Sequence, residues 1–246
     1  MKRVKCTVEY DGTGYSGFQI QPNGKTVQEE LEKALRTMHK GEHVRIIASG
    51  RTDAGVHAKG QVFHFDTSLA VPENRWVRAL ETLLPSDIYV KQAEYVEESF
   101  HAQFDVKEKE YRYYVRPVRS RDVFRRRTVY HHPRNLDMEK MQEAVKQFVG
   151  THDFTAFCSA KTTLKGNKIR TVSRAELNVI GEELEFIVRG NGFLYNMVRI
   201  MMGTLLEIGE GKKEIDTIPR ALAEHNRRLA GFTTPGHGLF LWEVSY

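Results

Sequence analysis

Hydrophobic residues in the first hundred positions follow two different periods. Val4, Cys6 and Val8 alternate with polar residues, which is typical of a strand with one buried face. Between Thr26 and Met38 the apolar residues repeat at helical spacing, behind a Thr26 and Glu29 pair that matches a capping box. The pattern predicts helices from Thr26 to Met38 and over 73–84, and strands over 2–10, 44–49, 61–67 and 88–96.

A similar succession of elements begins again near residue 104. Alternating residues predict a strand over 109–116, and an apolar stripe predicts an amphipathic helix over 137–149. The remaining predicted elements are strands over 169–179, 184–190 and 239–245 and helices over 195–208 and 216–225. Several strands are joined by turns of hairpin length. The sequence therefore predicts an α+β fold with a mixed or antiparallel sheet, not a doubly wound parallel one.

The composition is that of a soluble globular protein. The 246 residues include 37 Lys and Arg and 32 Asp and Glu, a net charge of +5, and 40% are hydrophobic. No apolar run is long enough for a transmembrane helix, and the first ten residues lack the apolar core of a signal peptide. Cys6 and Cys158 are far apart in the sequence, so we expect free thiols in a reducing cytoplasm.

The positive charge is concentrated in one segment. Residues 107–134 contain ten basic and three acidic residues, a net charge of +7, whereas the rest of the chain carries −2. Tyrosines and a phenylalanine are interleaved with the arginines. Arginines bind phosphates and aromatic rings stack on unpaired bases, so the segment fits a nucleic-acid interface. A solvated arginine-rich loop beside ordinary strand tyrosines is the alternative that the residues leave open.

Two common kinds of cofactor site are not expected. Gly12 to Gly17 matches the dinucleotide pattern G-x-G-x-x-G, but Pro22 and Asn23-Gly24 continue the loop and the predicted helix begins only at Thr26. No nucleotide cofactor is therefore predicted. The ten histidines form no H-E-x-x-H motif and no cysteine pair accompanies them, so no metal site is predicted.

The densest polar cluster is the segment from Ser49 to Ala58. Gly50 and Gly55 bracket Arg51-Thr52-Asp53, so the backbone can turn sharply and present Asp53. An aspartate is ionised at neutral pH and can act as a nucleophile or a base, and Arg51 can bind phosphate. An aspartate in an ordinary Asx-turn, paired with Arg51, fits the same residues.

The segment Gly50-Arg51-Thr52-Asp53-Ala54-Gly55-Val56-His57-Ala58, with Gln61-Val62, resembles the signature of the bacterial tRNA pseudouridine synthase A (TruA) family. Further segments match in order along the whole chain, among them Asp11 to Gln19, Phe100-His101-Ala102, Lys109 to Tyr113, Gly150 to Thr155, Gly190 to Arg199 and Thr234-Pro235. Gln103 and Cys158 depart from the family, which often has arginine there. These two departures bear on individual RNA contacts.

The resemblance implies a reaction and three site residues. Family members isomerise uridines 38, 39 and 40 in the tRNA anticodon stem-loop to pseudouridine, without cofactor or metal. Asp53 is then the nucleophile, and Tyr111 stacks on the target base. Arg199 keeps the carboxylate ionised. The alternative is a non-catalytic RNA-binding or tRNA-folding protein on the same scaffold.

The resemblance also implies an organisation. We expect two similar α/β halves, 1–103 and 104–246, whose sheets join at a central active-site cleft to form one catalytic unit. A cytoplasmic homodimer with tRNA spanning both protomers is expected. Besides the site residues, the arginines expected to contact RNA are Arg51, Arg112, Arg125, Arg126 and Arg127.

Overall fold

The computed structural model describes residues 1–160 and 166–246. In these residues the strands are β1 (Lys2–Tyr10), β2 (Ile47–Ala48), β3 (His57–Thr67), β4 (Ile88–Val96), β5 (Glu108–Arg116), β6 (Tyr130–His131), β7 (Gly150–Asp153), β8 (Ile169–Ile180), β9 (Glu183–Gly190) and β10 (Leu239–Ser245). The α-helices are α1 (Val27–Met38), α2 (Trp76–Glu81), α3 (Met138–Ala144), α4 (Met197–Gly209) and α5 (Thr217–Glu224). No helix in the described part of the chain is long and apolar enough to cross a membrane.

The first of two units contains Met1–Lys107 and Phe240–Tyr246. Its central strand β1 pairs antiparallel with β3 and β4, while β10 runs parallel to β3. The alternation in β1 buries Val4, Cys6, Val8 and Tyr10 on one face, as the sequence predicts. Cys6 here and Cys158 in the second unit are both buried free thiols.

Helix α1 shows how local sequence determines one element of this unit. The Thr26 side chain accepts a hydrogen bond from the Glu29 backbone N–H at 3.4 Å, so it caps the first turn. Leu31 and Leu35 lie on the buried stripe. The predicted helix is therefore confirmed together with its N-cap.

The second unit contains Glu108–Leu239. Strand β9 pairs antiparallel with β5 on one side and β8 on the other, and β7 pairs antiparallel with β8. Helix α4 is buried along most of its length, because it is apolar on every face rather than on one stripe. Each unit thus combines helices with a sheet that contains both parallel and antiparallel pairs, which confirms the α+β class. The predicted boundary at 103 and 104 and the single cleft stay predictions.

Several predicted elements are shorter in the structure. The strand predicted over 44–49 is reduced to the two residues of β2, and a 3-10 turn replaces the first part of the helix predicted over 73–84. The helix predicted from Tyr195 begins at Met197, because Asn196 has a left-handed backbone (φ 62°). The short strands β6 and β7 lack a clear hydrophobic period, and the sequence pattern missed them.

Candidate active site

Asp53 lies in the loop between β2 and β3, and Gln61 fastens the base of this loop. The Gln61 amide donates to the Gly50 carbonyl at 3.0 Å, and its oxygen accepts from the Ser49 hydroxyl at 2.5 Å. The Ser49 N–H donates to the Val62 carbonyl at 2.7 Å. Gln61 and Ser49 are buried, so these bonds hold the loop at its start without competition from water.

The glycine-rich segment from Gly12 to Gly17 packs against this loop. A Cβ at Gly12 would lie 2.0 Å from the Val56 carbonyl oxygen, and one at Gly17 would lie 2.8 Å from the Thr52 carbonyl oxygen. The Phe18 N–H donates to that Thr52 oxygen at 3.0 Å. The glycines are thus required by close backbone approach to the Asp53 loop, which is a different role from holding a pyrophosphate.

Buried side chains fix the residues on either side of Asp53. The Tyr10 and Thr52 hydroxyls are hydrogen-bonded at 2.8 Å, and the Gly12 N–H donates to Nδ1 of His57 at 3.1 Å. The Asp53 carbonyl accepts from the Val56 N–H at 3.1 Å, which closes a tight turn. Asp53 itself is half-buried. The loop therefore holds the Asp53 main chain in a defined position and leaves the residue at a partly solvated surface, which suits a nucleophile.

Tyr111 lies in the second unit, on β5. It is opposite Val188 and shares a strand face with Tyr113, which is fully buried. The Tyr111 ring meets Phe193 edge to face, with centroids 5.1 Å apart. Since Tyr111 is half-exposed, whereas Tyr113 is buried, the Tyr111 ring is accessible and able to stack on a base.

Arg199, on the first turn of α4, is held by two neighbours. Its Nε donates to the Thr234 carbonyl at 2.7 Å, and its Nη1 donates to Oδ1 of Asn196 at 2.7 Å. The Thr234 hydroxyl donates back to the Arg199 carbonyl at 3.0 Å. Sequence reasoning did not identify Thr234 and Asn196 as positioning residues, although both lie in segments that resemble the family.

Comparison with known proteins identifies the family. The family model described as tRNA pseudouridine synthase matches residues 7–105 and 144–246. The chain belongs to the tRNA pseudouridine synthase family. It is 56% identical over 246 residues to tRNA pseudouridine synthase A 1 of Bacillus cereus, covering 100% of this chain and 99% of the relative. The enzyme of Anoxybacillus flavithermus, tRNA pseudouridine synthase A, is likewise 56% identical over 246 residues, with the same coverage.

A chain from a solved Cbf5-Nop10-Gar1 complex is far less similar. It is 12% identical, with a TM-score of 0.35, covering 82% of this chain and 54% of that one. This similarity is too low to support a conclusion about function. The close relatives confirm that the protein is an isomerase of tRNA uridines.

Acidic side chains from elsewhere in this pseudouridine synthase neutralise part of the positive charge of the basic segment 107–134. Arg112 pairs with Glu185 at 3.0 Å, and Arg125 pairs with Glu183 at 2.7 Å. Burial lowers the pKa of Arg112, but hydrogen bonds and attraction from Glu110 and Glu185 outweigh burial and raise it. Acidic residues of β9, which lies outside the segment, therefore neutralise part of its net charge of +7.

The other arginines predicted to bind RNA have different surroundings. Arg51, two residues before Asp53, is exposed, and so are Arg126 and Arg127. Arg126 donates to the nearby Val123 carbonyl, within its own loop. In the part of the chain that the structure describes, no group of three or more His, Cys, Asp or Glu residues is arranged to hold a metal ion.

Proposed function

We propose that this synthase converts uridines 38, 39 and 40 of the tRNA anticodon stem-loop to pseudouridine, with Asp53 as nucleophile. The observation that supports this most is the Asp53 loop, fixed by Gln61 at its base and by the glycine-rich segment beneath it. A nucleophile that attacks within a rigid loop needs little reorganisation at the moment of reaction. The three positions rest on the resemblance of the sequence segments.

The reaction exchanges one bond of the ribose for another. The bond between N1 of uracil and C1′ breaks, the freed base rotates, and C5 bonds to the same C1′. The C5 proton is lost and N1 gains one, so the product is an isomer and no electrons are transferred. The Asp53 carboxylate attacks either the uracil ring or C1′ and is displaced again before the product is released, or it acts first as a base. Tyr111 stacks on the base, and its hydroxyl can transfer a proton. Arg199 stabilises the ionised carboxylate.

The target base must first leave the helical stack. Extruding a base costs a few kcal/mol, which contacts to phosphates and a stacking ring must offset. Since three neighbouring positions are modified, recognition of RNA shape suits this enzyme better than reading of base edges. We further propose that the enzyme acts as a cytoplasmic homodimer, with one tRNA in contact with both protomers.

The proposal is tested with an unmodified tRNA transcript that has uridines in the anticodon arm. Pseudouridine is mapped by its carbodiimide adduct, and we expect it at positions 38 to 40. The matched control has cytidine at those positions. A transcript that binds without being modified would support the non-catalytic alternative, and modification elsewhere would refute the proposed positions.

Neutralising Arg125, Arg126 and Arg127 to glutamine is expected to weaken tRNA binding. Each lost phosphate contact reduces the slope of log Kd against log salt by about 0.9. Arg125 is paired with Glu183. A variant in which only Arg126 and Arg127 are replaced should therefore show nearly the same reduction in slope as the triple variant.

Arg220→Gln is the control, because Arg220 is an exposed arginine of α5 near Asp216. Binding is measured by fluorescence anisotropy at several salt concentrations. If the slope is the same in the triple variant and in wild type, the arginine run does not contact the RNA.

A further inference from the structure

Phe104 presents an aromatic ring to solvent in the first unit. The residue is 76% exposed, and its neighbours Gln103 and Asp105 are exposed and polar. A single exposed apolar residue is common on protein surfaces and needs no partner by itself. What distinguishes Phe104 is the structure that holds its ring in place.

The ring of His101 lies almost parallel to that of Phe104. Their centroids are 4.1 Å apart and the ring planes differ by 18°. Nδ1 of His101 accepts the N–H groups of both Gln103 and Phe104, each at 3.2 Å. The main-chain N–H of His101 donates to Oδ2 of Asp105 at 2.7 Å. The two rings are therefore stacked in a fixed orientation, with one face of Phe104 turned outward.

Ala102 anchors this stack to the interior of the unit. Its N–H donates to Nδ1 of buried His64 at 3.1 Å, and its carbonyl accepts from the Tyr246 hydroxyl at 2.7 Å. Burial, with the nearby charge of Arg3, lowers the pKa of His64 to about 4. His64 is therefore neutral at physiological pH and keeps its Nδ1 available as an acceptor.

The same anchor reaches the loop that carries Asp53. The Tyr246 phenol also lies next to the Ser49 side chain. Ser49 in turn bonds Gln61 at the base of the Asp53 loop. The segment that carries Phe104 and the base of the Asp53 loop thus adjoin the same tyrosine within the first unit.

We propose that the Phe104–His101 stack is a platform for an unpaired base of the RNA substrate, other than the uridine being modified. This rests on the proposed function for the identity of the RNA. An exposed, pre-oriented ring stacks on any base, because every base has a π-face. Arg3 and Lys5 of the same unit are already paired, with Asp66 and Glu94, and Phe104 itself carries no charge, so its contact is stacking rather than ionic.

A second copy of this chain fits the platform less well. Protein interfaces have an apolar centre that extends over many residues. Phe104 is instead flanked by the polar side chains of Gln103 and Asp105, which can meet the hydrogen-bonding edges of a base.

The test measures binding of the unmodified tRNA transcript to the full chain at several salt concentrations. We expect Phe104→Ala to weaken binding about 5- to 150-fold, the range for loss of one stacked base, with an unchanged salt slope because no charge is removed. Phe104→Trp should retain the affinity, and its added fluorescence should be quenched when tRNA binds. Tyr89→Ala, which removes a 40% exposed ring from the same unit, should bind like wild type.

The possible outcomes separate this inference from the proposed function. If wild type modifies the transcript and Phe104→Ala binds as tightly as Tyr89→Ala, the platform is refuted and the proposed function stands. A lower mass of Phe104→Ala in light scattering would show that the ring contacts a second copy, which also refutes it. If wild type neither binds nor modifies the transcript, both fail together.

Discussion

Replacing Asp53 with asparagine is expected to abolish pseudouridine formation while tRNA binding persists. The amide has nearly the same shape as the carboxylate but is a far weaker nucleophile. The bond that closes the turn involves the Asp53 main-chain carbonyl, which the substitution retains. We expect the single-turnover rate to fall on the order of 10³-fold or more, with Kd little changed.

The experiment uses excess enzyme, so that chemistry is separated from product release. Glu81→Gln, an exposed charge-neutralising substitution in α2, is the control and should react at the wild-type rate. If Asp53→Asn turns over at a rate near wild type, Asp53 is not the nucleophile. A parallel loss of binding would instead assign Asp53 a role in holding the RNA.

Gly12→Ala is expected to damage both stability and catalysis. The new Cβ would lie 2.0 Å from the Val56 carbonyl oxygen, so the backbone of the glycine-rich segment or of the Asp53 loop must move. Overpacking of this kind costs about 1–3 kcal/mol of unfolding free energy. A shift of about 1 Å in a reacting group can reduce the rate about 100-fold.

Gly14→Ala provides a matched control in the same turn, because a Cβ there meets nothing within 4 Å. Denaturant unfolding gives the loss of stability, and single-turnover kinetics at a temperature where both variants are folded gives the loss of rate. Equal behaviour of Gly12→Ala and Gly14→Ala would show that the close approach to Val56 is unimportant for the Asp53 loop.

The elements that the sequence predicts well depend on local interactions. The strand over 2–10 and helix α1 follow from the alternation around Val4 and from the cap at Thr26, which act over a few residues. The position of Asp53 in a loop between two strands is also predictable, because glycines and flanking apolar runs mark it. The family resemblance adds the chemistry that these local patterns cannot supply.

The features that escaped prediction depend on residues that are distant in sequence. The glycines at 12 and 17 match a cofactor motif, and only the fold shows that they lie against Thr52 and Val56. Likewise, a sum of charges over 107–134 omits Glu183 and Glu185, which compensate two of its arginines. Neither contact leaves a periodic signal in the sequence.

Strand β10 has a consequence for the order in which the chain can fold during synthesis. Phe240 and Leu241 pair with His57 and Ala58 of β3, directly after the Asp53 loop. A ribosome makes residues 240–246 only after the whole second unit. The start of β3, at His57 and Ala58, therefore lacks its β10 partner on one edge while more than half of the chain is translated. Exposed strand edges invite intermolecular pairing, so this interval is when the nascent protein is most vulnerable to aggregation.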